Sequence, residues 1–379
     1  MYSFEELPKA YKSLCDLVCE LDLEEEKFSF LKEELRKHKN KRIICVGVGR
    51  TGYVAEIFSS YLRNLGYNSF DPNTIPYKLT SSDLILLFSG SGTSELPKEV
   101  GRIGRKVGAK IISFTSYPTS EIGLLSDYVI NIKGRTKVDV STERLGKVII
   151  GESDSPLTPL GTLFELRLLL TLMSFVGSIQ EGKAKDIYLK LCESIREFSP
   201  NQKEFENLYN ITPKPRSLHN PLSGKTVVVG EGFSGIVGKF FVTRFRHCAK
   251  ENDERDVSFY TDAGNVSVRE KDLLLIISGS GREKFYRYAS IAKEKGANIG
   301  IITSNKNKEL AKIADALVLI PGRIEENLDG LITSYYPTDP KKSIFELRTL
   351  FSLEAYLYII TRIEKISEEE MKIKHSDFT

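Results

Sequence analysis

Two well-separated segments, DLILLFSGSG at Asp83–Gly92 and DLLLIISGSG at Asp272–Gly281, are nearly identical, which restricts the chain to folds built from two copies of one unit. In each, five apolar residues without polar alternation read as a strand covered on both faces, as in a parallel sheet. The carboxyl end of such a strand is where ligands sit. After the first copy, Thr93 and Ser94 are helix-cap candidates and Glu95 falls in the first turn, so N–H groups and hydroxyls converge on a positive helix terminus. The pattern predicts an anion site, foremost for phosphate.

The surrounding landmarks recur in the same order. Gly47-Val48-Gly49-Arg50-Thr51-Gly52 follows an apolar strand, Arg42–Val48, and opens a helix to Leu65; Gly230-Glu231-Gly232-Phe233-Ser234-Gly235 follows Val227–Gly230 and opens a helix through His247. Gly47 with Gly230, Ser89 with Ser278, Asp127 with Asp315 and Glu165 with Glu346 all stand at nearly one offset. A lone GxGxxG is a weak signal, since it fits a dinucleotide fingerprint, a phosphate loop or a tight turn. Between these landmarks come a helix to Val107, a strand Lys110–Phe114, a short helix to Asp127 and a strand Tyr128–Ile132. Alternating strands and helices of this length specify an α/β protein with two tandem doubly wound parallel sheets, flavodoxin-like or Rossmann-like, and flanking helices.

Residues 3–38 read as two amphipathic helices, a looser segment runs over Thr136–Pro159, and a strongly apolar helix follows Pro159-Leu160-Gly161-Thr162-Leu163-Phe164-Glu165. Pro200, Pro213, Pro215 and Pro221 mark a linker that breaks regular structure. The expected boundaries are 1–198 for the first domain, 199–222 for the linker and 223–379 for the second domain.

At 379 residues the chain is long enough for two cores, and 41% hydrophobic with 28% charged residues is an ordinary globular composition. The net charge of +3 is interleaved along the chain, which argues against a nucleic-acid partner. The amino terminus carries acidic residues and no apolar core, so no signal peptide is expected. The longest apolar run, Phe164 to Ile179, carries Glu165 and Arg167 and is not expected to span a membrane. A cytoplasmic location follows as the expectation. Cys15, Cys19, Cys45, Cys192 and Cys248 form no CxxC pair and read as buried thiols. His38, His219, His247 and His375 have no second ligand type at metal spacing, so no metal is expected.

GxGRTG after the first strand, SGSG after a later one and a closing PLGTLFE helix together resemble the sugar isomerase (SIS) domain family. More narrowly, the chain is similar to the archaeal and bacterial 6-phospho-3-hexuloisomerases, whose histidine-containing tail resembles the closing segment Met371–Phe378. The resemblance covers nearly all of the first half and, more loosely, the second. It implies isomerisation of a phosphorylated sugar through an enediol(ate) without cofactor. That chemistry needs a phosphate anchor, a carboxylate base and a donor to the carbonyl oxygen. The matching anchor positions are Gly49, Arg50, Thr51, Ser89, Ser91, Thr93 and Ser94; Glu165 matches the base. A carboxylate at a helix start otherwise serves only to complement the helix dipole. His247 in RFRHC and His375 match the family's histidines, whereas Asn64 stands at the first-half counterpart of His247.

The halves thus differ in what they keep. The first holds the hydroxyls and the second the histidines, with Arg282 and Glu283 replacing Thr93 and Ser94. Because the family builds sites at subunit contacts, the resemblance implies a composite site, with Glu165 from one repeat and His247 or His375 from the other repeat or a neighbouring chain. A homodimer would then supply four SIS domains. The competing readings are a phosphoglucose/phosphomannose isomerase, a non-catalytic sugar-phosphate sensor, and a nicotinamide-dependent dehydrogenase with Asp71 or Asp262 on the ribose. The last leaves the duplicated SGSG unexplained.

Overall fold

The computed structural model describes residues 3–20, 24–74, 78–134, 161–180, 182–218, 220–263, 267–323 and 339–374. The segment Thr136–Pro159, His219 and His375 lie outside them. By contact the described residues divide into two compact units: those within 17–191, and those within 3–16 together with 192–374.

The first unit's sheet contains β1 (Arg42–Val46), β2 (Asn68–Phe70), β3 (Leu84–Phe88), β4 (Lys110–Thr115) and β5 (Tyr128–Asn131), all parallel, in the order β2-β1-β3-β4-β5. The five residues of β3 are all buried, as expected for a strand covered on both sides. Ile44, Val46, Ile85, Leu87 and Ile111 form a core with Val100 of the Glu95–Val107 helix. On another side of the unit, Phe88 meets Phe58 of the Arg50–Asn64 helix edge-on, and Phe58 in turn meets Phe175 of the Thr162–Gln180 helix. By length and composition alone that last helix could cross a membrane, but most of it is buried inside the protein, in keeping with the expectation that it does not.

The second unit repeats the design with β6 (Thr226–Val229), β7 (Val257–Phe259), β8 (Leu273–Ile277), β9 (Asn298–Thr303) and β10 (Ala316–Leu319), ordered β10-β9-β8-β6-β7. Both orders are the doubly wound one with a switch point, between β1 and β3 and between β6 and β8. The paired aspartates of the duplication serve the same structural purpose, for Asp127 accepts from Ile111 N and Asp315 from Ile299 N, each at 2.8 Å. The short strands β2 and β7 escape sequence reading because three residues carry too little periodicity.

The stretch read as a linker contains a helix, Gln202–Ile211. Its prolines flank the helix and do not interrupt it, Asn201 caps it by accepting from Lys203 N and Glu204 N, and Phe205 and Leu208 bury one face. The duplication also reaches further towards the amino terminus than the glycine loops suggest. Tyr11, Leu14 and Cys15 recur with the same spacing as Tyr188, Leu191 and Cys192. Tyr11 donates to Ile195 O in one unit at 3.0 Å, and Tyr188 donates to Val18 O in the other at 2.9 Å. All five cysteines are buried and none is in a disulfide, and burial pushes the thiols of Cys45 and Cys248 up to about 12.

Candidate active site

In the first unit β1 and β3 run side by side, with Val46 opposite Leu87, so their following loops flank one crevice at the switch point. Gly49 precedes the Arg50–Asn64 helix with φ 56°. Thr51 is buried, and its hydroxyl donates to Val48 O at 2.8 Å, folding the loop over the helix start. In the neighbouring loop Ser89 and Ser94 join hydroxyl to hydroxyl at 3.0 Å, Gly92 N donates to Ser89 Oγ, and Thr93 bonds Ser91. Gly92 has φ +69°, and a Cβ there would lie 1.9 Å from Ser120 Oγ, so no side chain fits. Ser94 occupies the position before the Glu95–Val107 helix as expected, but its hydroxyl makes no capping bond.

Glu165 sits in the first turn of the Thr162–Gln180 helix, 3.0 Å from the Arg50 guanidinium. With the two side chains 4% and 12% exposed, this is a buried ion pair. Arg50 also donates to Thr162 Oγ1 at 3.2 Å. The arginine assigned from sequence to the phosphate therefore holds the carboxylate, and Glu165 is tied to the loop after β1.

The second unit gathers the counterpart positions into one small polar pocket lined by Glu231, Ser234, Ser278, Ser280, Arg282, Arg323 and Glu346, among others. Phe233 stands where Arg50 stands in the first unit, so the cation comes from elsewhere. Glu346 Oε1 accepts from Ser234 Oγ at 3.0 Å and faces the Arg323 guanidinium at 3.5 Å. Burial pushes the Glu346 carboxyl up, against the opposing pull of Arg323 and Ser234. Glu231 pairs with Lys284 and, at 3.5 Å, with Arg282.

Arg323 was not found from sequence. It follows β10 and is aimed by Gly322, where a Cβ would come within 2.8 Å of Phe345 N. A signal existed, because Gly134-Arg135 and Gly322-Arg323 recur at the same offset as Asp127 and Asp315. A Cβ at Gly134 would likewise press on Phe164 N, and residue 135 lies outside the described residues. The Gly232–His247 helix carries Ser234 in its first turn and His247 at its end. At a rise of about 1.5 Å per residue the two stand roughly 20 Å apart, so the unit's own fold does not bring His247 to the pocket.

The SIS domain profile matches residues 36–144 and 223–338, well over half of the chain. An uncharacterised protein of Aeropyrum pernix is 37% identical over 138 residues, covering 36% of this chain and 65% of that protein, so the match spans just under two thirds of that relative. The 3-hexulose-6-phosphate isomerase of Methylomonas aminofaciens is 30% identical over 156 residues, 41% of this chain and 81% of the relative. Among solved structures, a candidate tagatose-6-phosphate ketose/aldose isomerase from Clostridium novyi NT aligns over 97% of this chain and 89% of its own, with TM-score 0.65 at 14% identity. The C-terminal domain of glucosamine-fructose-6-phosphate aminotransferase from Francisella tularensis aligns over 94% of both chains, with TM-score 0.52 at 13% identity. These two likenesses carry the fold. With switch-point loops in both units and the profile matched in two segments, the chain belongs to the SIS domain family.

Proposed function

We propose that the protein is a phosphosugar isomerase of the 6-phospho-3-hexulose type, working through an enediol(ate) without cofactor. The observation that supports this most is the Arg50–Glu165 ion pair, which ties a carboxylate to the loop after β1, next to the serine-rich loop after β3. In this reading Thr51, Ser89, Ser91, Thr93 and Ser94, with the Gly49 backbone, hold the phosphate. Glu165 takes the proton from the carbon beside the carbonyl, and a donor polarises the carbonyl oxygen. The proton returns on the neighbouring carbon, moving the carbonyl by one position with no net redox change. Arg50 is the positioning residue for Glu165.

His247 and His375 are the proposed donors, and a homodimer with four SIS domains the proposed assembly. The test is to incubate purified protein with 3-hexulose 6-phosphate or fructose 6-phosphate and follow interconversion by NMR. Conversion in both directions that falls in His247→Ala or His375→Ala supports the reading. Tight binding of either sugar phosphate with no turnover would make the protein a sensor instead.

A further inference from the structure

We propose that Glu231 closes the second repeat's crevice against anions from solution, its carboxylate bridging the loops after β6 and β8 as a built-in anion. The bridge crosses the switch point, where β6 and β8 run side by side with Val229 opposite Ile276. Glu231 stands on the loop after β6. Its partners stand on the other side: Arg282, at 3.5 Å, ends the loop after β8, and Lys284 lies in the first turn of the Glu283–Glu294 helix. Glu231 also occupies the position just before the Gly232–His247 helix, where a carboxylate ordinarily accepts from the helix's own N–H groups, but its side chain makes no such bond. It is turned instead to the cations at the start of the neighbouring helix. An acid held between two helix starts supplies the negative charge that those termini would otherwise draw from a ligand.

The pocket's own lining supports closure. Among the described residues its charged groups are two arginines and two glutamates, and each arginine faces a glutamate: Arg282 faces Glu231, and Arg323 faces Glu346 at 3.5 Å. The charges within the lining therefore cancel. The space they leave is about 30 Å³, which suits ordered water and not a phosphate ester. Oε2 of Glu346, buried and without a hydrogen-bond partner among the described residues, is suited to meet such a water. An anion entering from solution would have to displace a carboxylate already tethered in place and would be repelled by it. The clasp belongs to the second repeat alone. Val48, Thr93 and Glu95 stand at the first repeat's counterparts of Glu231, Arg282 and Lys284, and Glu95 pairs with Lys98 of its own helix. Closure of the second repeat holds whether or not the first repeat is the isomerase site proposed above.

Calorimetric titration of inorganic phosphate into the full chain tests this. Glu231→Val, which gives the loop the first repeat's residue, and Glu231→Ala each remove the charge and open the space, at a side chain that is partly exposed. In either variant phosphate should bind roughly tenfold or more tighter than in the wild type, at a site that depends on Arg282. Adding Arg282→Ala should abolish the gain, because Arg282 is then the cation that receives the phosphate. A gain that survives Arg282→Ala places the phosphate elsewhere and overturns the inference. Binding no tighter in both Glu231 variants than in the wild type overturns it too, whether the crevice proves open already or closed by another group. Wild-type phosphate binding that Ser89→Ala removes reports on the first repeat, so a failure of the proposed function is read separately.

Discussion

The two repeats keep the same carboxylate and hold it in different ways. Glu165 and Glu346 open equivalent apolar helices, in TLFELR and SIFELR, and the arginine two positions on plays one role in both: Arg167 donates to Leu17 O and Lys133 O, and Arg348 to Ser194 O and Pro321 O. The cation beside the carboxylate differs. In the first repeat it is Arg50, from the loop after β1, and in the second Arg323, from the segment after β10. The acid thus stands in the same place in both repeats, while the position that carries Arg50 after β1 carries Phe233 after β6. Phe233 is buried. Identity of motif fixes where a group stands; its environment decides its chemistry.

The sharpest way to break the comparison is to neutralise each carboxylate in turn. Glu165→Gln should lower kcat by about 10²–10⁴-fold, the usual contribution of a positioned base. Glu346→Gln should leave kcat within a few-fold of wild type. Equal losses in steady-state assays would mean that both repeats work as catalysts, and no loss in either would remove the base assignment.

Next in size is the ion pair that singles out the first repeat. Arg50→Leu leaves Glu165 buried without its cation, at a cost of about 3–5 kcal/mol in unfolding free energy. Adding Glu165→Gln should recover most of that loss, because the stranded charge is then gone. Chemical denaturation of the single and double variants checks this, and a fully additive double variant would show that the pair is not coupled.

The loops come third. Ser89→Ala or Ser94→Ala should raise KM for the phosphosugar well above the effect of Ser278→Ala, since a hydroxyl lost from a charged acceptor costs about 1.5–3 kcal/mol. If Ser278→Ala raises KM as much, the two repeats share the substrate.

The sheets were legible because their signal is local. β3 and β8 are unbroken apolar runs ending in SGSG, and the structure places them at Leu84–Phe88 and Leu273–Ile277. The carboxylates were legible through their motif. What escaped depends on groups distant in sequence: Arg50 and Glu165 stand near opposite ends of the first repeat, and nothing in GVGRTG says that the guanidinium turns to a helix start and not to a ligand. The Gln202–Ile211 helix escaped for the opposite reason, since prolines just outside a short helix read like prolines within a loop.

The smallest effect is the most selective. Burial raises the pKa of the Glu346 carboxyl in the folded chain above its ordinary value of 4.5, so the folded state holds that proton more tightly than the unfolded one. The resulting stability is fully present below the unfolded value and is lost as pH rises through the folded one. Glutamine mimics the protonated form and carries no such dependence. The stability of Glu346→Gln relative to wild type should therefore increase as pH is raised from about 4 towards neutrality. Urea melts of the two proteins at several pH values measure the difference directly. A difference that stays flat, or that falls with pH, would show that Arg323 and Ser234 outweigh burial and that Glu346 is held as a carboxylate after all.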